Sequence, residues 1–185
     1  MKCRLALVVV LVAGASWALQ VLPLEFDTDP AWEARPTFLP NPATRAAPKW
    51  VDGVVFLYVD EPGRGMKYEI PLVPFPTHRA DYLVIRYRAE NVGGGYALWV
   101  YDDSPEGRSV LATDEWEQDG QWHILALDLL GRAVQGRIRS LLTEIQCQGP
   151  PASLVIDWVR PLSVLPENAV VVGTAAEVAP DLIVR

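Results

Sequence analysis

Cysteine is scarce in this chain, with only Cys3 and Cys147 among 185 residues. The chain has no CxxC motif and only two histidines, so the ligand spacings of zinc sites are absent. Cys3 precedes an apolar segment with the form of a secretory signal, and cleavage leaves Cys147 alone. A single thiol cannot form an internal disulfide, so a hydrophobic core must hold the domain. Cys147 is expected to be a small buried apolar residue rather than a reactive thiol.

Helical periodicity, internal repeats and low-complexity tracts are also lacking. The absence of a fixed repeat excludes solenoids and propellers. His78 and His123 do not stand beside a serine or cysteine in a recognisable nucleophile motif. The sequence therefore predicts a protein that is not an enzyme.

The first residues have the three parts of a secretory signal. Lys2 and Arg4 form a positive region, an apolar run extends from Leu5 to Leu19, and small residues favour cleavage after Ala18 or Ala15. This run of 15 residues is shorter than the roughly 20 that span a bilayer, which makes an uncleaved anchor the minor alternative. We expect a signal peptide over residues 1–18 and a secreted, periplasmic or cell-surface protein without stable membrane insertion after cleavage.

Positive charge is in deficit. The formal net charge is -7, and removal of Lys2 and Arg4 with the signal makes it -9. An acidic surface argues against nucleic acid or an anionic membrane as the partner.

About 165 residues then remain, which suits one domain large enough to be stable without metals or disulfides. We divide the chain into four parts. These are the signal peptide (1–18), a proline-rich N-terminal strand and wrapping loop (19–50), a β-sandwich core (51–162, with the whole domain at 19–162) and a C-terminal tail (163–185). The valine-rich tail is either a linker or an extra edge strand.

Alternating apolar residues indicate strands throughout the core. Val51–Val59 and Met66–Leu72 are expected to form a hairpin around the EPGRG turn. The stretch from Tyr82 to Asp103 is expected to form a second, central hairpin around the glycine run 93–95. Eight or so short strands separated by glycine and proline turns predict an all-β, antiparallel two-sheet β-sandwich of the jelly-roll type.

Four strand motifs, YLVIRYRA, YALWVYDD, DGQWHILALDL and SLVIDWVRPL, together resemble the carbohydrate-binding-module and galactose-binding-like β-sandwich superfamily. The resemblance covers roughly Leu22 to Leu162. It implies a non-catalytic binding module of the kind attached to secreted glycoside hydrolases and adhesins. It also implies a structural calcium that links the first strand to the last.

The polar face of the expected central hairpin is the candidate ligand site. Arg86 and Arg88 alternate with apolar residues on one strand, and Trp99 and Tyr101 do so on the other. A flat aromatic ring stacks on a sugar ring, while guanidinium groups donate to hydroxyls or to a uronate carboxylate. The alternative is that the N-terminal loop covers this face and that arginine stacks on tryptophan only for packing.

Acidic residues supply the candidate calcium ligands. The resemblance pairs Asp157, on the last confident strand, with Glu25 or Asp27 near the first, and calcium prefers such oxygen ligands. The alternative is that these are solvated or capping acids, and no cofactor is required by the sequence.

The function that these observations predict is a secreted, non-catalytic module that binds polysaccharide or glycan. A structural or protein-interaction domain of the cell envelope is the alternative. A glycoside hydrolase or lyase is less favoured, because it would need two carboxylates of the acidic segment 114–119 to face one cleft.

Overall fold

The computed structural model describes residues 24–25, 33–36, 48–93, 96–114, 116–130 and 134–172. Within these ranges there are twelve strands and one short 3-10 helix, Thr77–Arg79. The strands are β1 (Leu24–Glu25), β2 (Glu33–Pro36), β3 (Lys49–Val51), β4 (Val54–Val59), β5 (Arg64–Pro76), β6 (Tyr82–Glu90), β7 (Tyr96–Tyr101), β8 (Arg108–Asp114), β9 (His123–Asp128), β10 (Arg137–Cys147), β11 (Ala152–Leu162) and β12 (Ala169–Val172).

The strands form two sheets. The first has the order β12-β9-β6-β11-β4-β3, with β1 also paired to β11, and the second has the order β2-β5-β10-β7-β8. Every pairing is antiparallel except β12 with β9, which is parallel. The predicted all-β two-sheet sandwich is confirmed. β12 shows that the valine segment of the tail adds an edge strand to the first sheet.

The core lies between the two sheets and follows the period of two in the sequence. On β6 the inward residues include Leu83, Ile85 and Tyr87, and on β7 they are Leu98 and Val100; all are buried. Cys147 is buried as expected, and its sulfur lies within hydrogen-bond distance of the carbonyls of Pro150 (3.3 Å) and Gly149 (3.5 Å), which share its single S–H donor.

Both predicted hairpins are wrong. β4 pairs with β3 and β11 in the first sheet, whereas β5 pairs with β2 and β10 in the second. β6 and β7 are likewise in different sheets. After β6, Val92 is buried and bridges to Cys147, and the Gly93 N–H donates to the Gln146 carbonyl at 2.8 Å. These contacts draw the chain onto the second sheet, so the crossover between the layers takes place at Val92 and Gly93.

A tight hairpin does occur one strand earlier, between β3 and β4. Asp52 and Gly53 form its turn, with φ of 50° and 78°. Positive φ at both central residues is the geometry that an Asp-Gly pair favours, because its twist matches that of the flanking strands.

Candidate functional site

The four predicted ligand-binding residues do not share one surface. Arg86 and Arg88 lie on β6 of the first sheet, whereas Trp99 and Tyr101 lie on β7 of the second. On β6 the intervening residues point into the core, so Arg86 and Arg88 belong to the outer face of the first sheet, whereas Tyr101 follows the buried Val100 on the second sheet. The prediction of a single platform is therefore wrong, although the predicted outward direction of the two arginines is correct.

The structure places the β7 residues in a different setting. The Trp99 backbone lies opposite Val110 and Leu142, and its side chain is outside the described part of the chain. Tyr101 is half-buried and lies opposite Arg108 and Ser140.

The outer face of the first sheet contains an arginine–tryptophan face, formed by Arg86, Arg88, Trp122, Asp157, Trp158 and Arg160. β6 is central in its sheet, between β9 and β11. Its register sets Arg86 opposite Trp158 and Arg88 opposite Val155. The hydrogen-bonded register of the sheet thus fixes where Arg86 and Arg88 stand. Contacts of their side chains then orient the two guanidinium groups.

Trp122 is the aromatic partner of both arginines. The guanidinium carbon of Arg86 lies 4.6 Å from the centre of the Trp122 ring, and that of Arg88 lies 5.5 Å from it. Both distances are within the range of cation–π attraction. The arginine–tryptophan stacking considered from the sequence is therefore present, but the tryptophan comes from the loop before β9. Trp122 is 38% exposed, so one part of its surface remains open to solvent.

The loop that carries Trp122 is held at both ends. At its start Trp116 is buried and meets Tyr87 edge to face at 4.6 Å, and the Glu117 N–H donates to the Tyr87 hydroxyl. At its end the Asp119 carboxylate accepts from the Gln121 N–H and pairs with His123, both at 2.8 Å. These contacts limit the positions open to Trp122.

Trp158 reaches the same face because of a β-bulge. The register of β11 against β6 shifts between Ile156 and Trp158, which leaves Asp157 as the extra residue. Ile156 and Val159 both point into the core, and Trp158 points outward beside Arg86. Strict alternation from Ile156 would place Trp158 in the core, so the sequence pattern alone missed it.

Two further contacts complete this face. The Arg160 guanidinium stacks over Trp158 at 4.3 Å. The Arg86 guanidinium donates to the Asp157 carboxylate in an ion pair whose side chains are 37% and 25% exposed. Guanidinium groups and indole rings thus lie side by side across the face, and the Asp157 carboxylate neutralises the charge of Arg86.

The predicted calcium ligands are only partly described. β1 pairs with β11 so that Glu25 lies opposite Trp158, next to Asp157 in sequence. The side chain of Glu25 and all of Asp27 lie outside the described residues, so the calcium prediction stays untested. The Arg86 guanidinium at Asp157 is a cation that would compete with calcium for this carboxylate. Among the residues that the structure describes, no three acidic, histidine or cysteine side chains are grouped to hold a metal.

The outer face of the second sheet has a different chemistry. Lys67 is 6% exposed, and its ammonium lies 3.6 Å from the Glu144 carboxylate. The Ser140 hydroxyl donates to Glu69 at 2.8 Å. Two polar pairs thus lie on this face, and the sequence did not indicate them as a site.

Within the acidic segment, Asp119 does not show the electrostatics of a general acid. The hydrogen bond from His123 is the main reason that the pKa of Asp119 is lowered, and the Gln121 N–H lowers it further. A general acid of a glycoside hydrolase needs a raised pKa instead. Glu115 and the side chain of Asp114 lie outside the described residues.

Within the described residues, no helix has the length and apolar character to cross a membrane.

No family model matches the chain, and no curated protein matches it. Among solved structures, it is similar to a family 29 carbohydrate-binding module in complex with cellulohexaose, with a TM-score of 0.46 and 10% identity over 70% of this chain and 92% of that chain. It is also similar to a xylan-binding module of family 86 from Roseburia intestinalis, with a TM-score of 0.39 and 10% identity over 69% of this chain and 92% of that chain. A third is a family 4 carbohydrate-binding module, with a TM-score of 0.40 and 11% identity over 74% of this chain and 94% of that chain. All three TM-scores are below 0.5, so the similarity carries no argument about the function or the ligand of this chain.

Proposed function

We propose that this protein is a non-catalytic glycan-binding module and that the sugar binds to the arginine–tryptophan face. The observation that carries the proposal is the position of Trp122, a partly exposed indole on a sheet face beside two outward guanidinium groups. An indole ring offers an apolar surface to the C–H face of a sugar, and guanidinium N–H groups donate to its hydroxyls.

The strands of the first sheet suit this task because they are rigid. Arg86 and Arg88 stand on a strand paired on both sides, and Trp158 stands on its neighbour. Binding groups on packed strands lose less conformational entropy when the ligand binds than groups on free loops do. Trp122 itself lies on a loop, but that loop is anchored through Trp116 and Asp119.

The direct test is titration calorimetry against a glycan panel that includes cellulohexaose, mannohexaose and xylan. We expect Trp122→Ala to weaken binding by about thirtyfold, because a central aromatic contact typically contributes about 2 kcal/mol. Trp50→Ala is the matched control. Trp50 is 41% exposed but stands on the edge strand β3, so its removal should leave the affinity unchanged.

The competing explanation is that the arginine–tryptophan stacking serves only to pack the loop. In that case the wild-type protein would bind no glycan in the panel, and Trp122→Ala would lower only the temperature of unfolding. That result would favour a structural or protein-interaction domain of the cell envelope. Equal weakening by the Trp122 and Trp50 variants would remove this face from the binding site.

Export to the periplasm, the cell surface or the medium belongs to the same proposal and rests on the signal-like segment at residues 1–18. The mass of the protein recovered after expression tests it. A mature chain that begins after Ala18 or Ala15 is expected, and retention of Met1 with the full segment would contradict export by cleavage.

A further inference from the structure

We infer that the arginine–tryptophan face selects acidic glycans, with Arg88 as the residue that binds the carboxylate of a uronic acid unit. This inference rests on the proposed function, because it names the ligand class of the same face. It depends on a difference between the two arginines of β6.

Arg86 already has an anionic partner. Its guanidinium is paired with the Asp157 carboxylate, which neutralises its charge on this face. A second carboxylate at Arg86 would be repelled by Asp157. Arg86 therefore suits hydroxyl groups of a sugar better than it suits an acidic group.

Arg88 differs in this respect. Its guanidinium lies over the same indole, but within the described part of the chain it makes no ion pair. It is half-buried on a strand whose next outward residue is the exposed Glu90. A guanidinium that lies over an aromatic ring and forms no ion pair with a described acid is available to an added carboxylate.

The contact with Trp122 also leaves hydrogen-bond donors of Arg88 available. The N–H groups of arginine lie in the plane of the guanidinium, and cation–π attraction to an indole does not pair them with an acceptor oxygen. A carboxylate is planar and accepts two parallel hydrogen bonds from such an edge, which makes the contact directional as well as electrostatic. Trp122 would meanwhile offer its open surface to the ring that bears the carboxylate.

The overall charge of the protein argues against long-range attraction as the source of a preference for acidic sugars. With a formal net charge of -7, the chain repels polyanions at long range. Any preference for an acidic sugar must therefore come from local contacts, because exposed charges are screened beyond about 10 Å at ordinary ionic strength. A single local contact can be removed by one substitution.

The experiment compares trigalacturonate with its methyl ester, which has the same backbone without the charges, by calorimetry at neutral pH. We expect the acid to bind about tenfold or more tightly than the ester, since hydrogen bonds between charged groups are the strong ones. Arg88→Gln should abolish this preference, so that the variant binds the acid and the ester with affinities within about twofold of each other. Arg79→Gln, which removes the same charge from the exposed 3-10 helix, is the matched control and should keep the preference.

The outcomes separate the two proposals. Equal affinity for acid and ester, or an equal loss in the Arg88 and Arg79 variants, would overturn the acidic-glycan inference and leave glycan binding intact. Tighter binding of a sulfated galactan than of trigalacturonate would overturn the assignment to carboxylate. If neither these sugars nor the neutral panel binds, the proposed function itself fails. Thermal unfolding of each variant verifies that it is folded, and Arg88→Lys, which keeps the charge without the planar fork, should restore only part of the preference.

Discussion

The hydroxyl of Tyr68 connects the two sheets through the core, and its removal should give a stability change that reverses with pH. Tyr68 lies on β5 of the second sheet and is fully buried, and its hydroxyl donates to the carbonyl of Tyr58 on β4 of the first sheet at 3.1 Å. Tyr68→Phe removes this hydrogen bond and changes little else in shape. At pH 8 the variant should be less stable by about 1 kcal/mol, the usual net contribution of one such bond.

The sign changes at alkaline pH. Burial raises the pKa of Tyr68 well above its usual range, more than the hydrogen bond to Tyr58 lowers it. A group whose pKa is raised in the folded state contributes its full stability below the unfolded pKa and loses it as pH rises further. With an unfolded pKa of about 10, ionisation of this tyrosine in the unfolded chain costs the native state about 1.4 kcal/mol at pH 11. The phenylalanine variant avoids that loss, so it should equal or slightly exceed the wild-type protein in stability at pH 11.

Urea unfolding at pH 8 and pH 11 measures both differences. The control is Tyr82→Phe, which removes a half-buried phenol outside the core and should change the stability at pH 8 by less than about 0.5 kcal/mol. A stability difference between the Tyr68 variant and the wild-type protein that is the same at both pH values would refute the argument, because it would mean that the phenol titrates equally in both states.

Two further predictions concern the loops. Gly136→Ala should destabilise the protein by at least about 1 kcal/mol more than Gly107→Ala. Both glycines have φ near +70°, but a Cβ at Gly136 would lie 2.4 Å from the Asp103 carboxylate whereas one at Gly107 meets nothing within 4 Å; equal losses in thermal unfolding would contradict this. His123→Phe should raise the pKa of Asp119 toward its ordinary value, measured by NMR titration, because it removes the hydrogen bond that mainly lowers that pKa. A carboxylate whose pKa is lowered in the folded state stabilises that state above about pH 4, and this stabilisation is lost as the pH falls further. The wild-type protein should therefore lose more stability on acidification than the variant does. An unchanged pKa of Asp119 in the variant would rule out His123 as the cause.

Local pattern predicted the strands better than it predicted their partners. The alternation in β6 and β7 indicated the apolar residues that point into the core. The same alternation is compatible with two strands joined as a hairpin and with two strands facing each other across a sandwich, since both arrangements bury one face. The choice depends on contacts such as that of Val92 with Cys147, which join residues far apart in the chain.

In the candidate site, too, the sequence predicted the direction of side chains but not their partners. The outward direction of Arg86 and Arg88 follows from the alternation, but their aromatic partner does not. Trp122 comes to them through the pairing of β6 with β9, and Trp158 comes through the bulge at Asp157. Neither a strand pairing nor a bulge leaves a reliable mark in a single sequence, so the predicted partners Trp99 and Tyr101 were assigned by proximity in the chain.

The stretch from Tyr82 to Asp103 therefore supplies one strand to each sheet, β6 to the first and β7 to the second. The sequence by itself determined that this stretch forms two strands that each bury one face, because a period of two in apolar residues is a local property of the chain. Only the tertiary structure decided that the strands belong to different sheets, and that the outer face of β6 meets tryptophans from β11 and from the loop before β9. The physical reason is that burial sets which way each side chain points, whereas long-range hydrogen bonds and packing set which strands are neighbours.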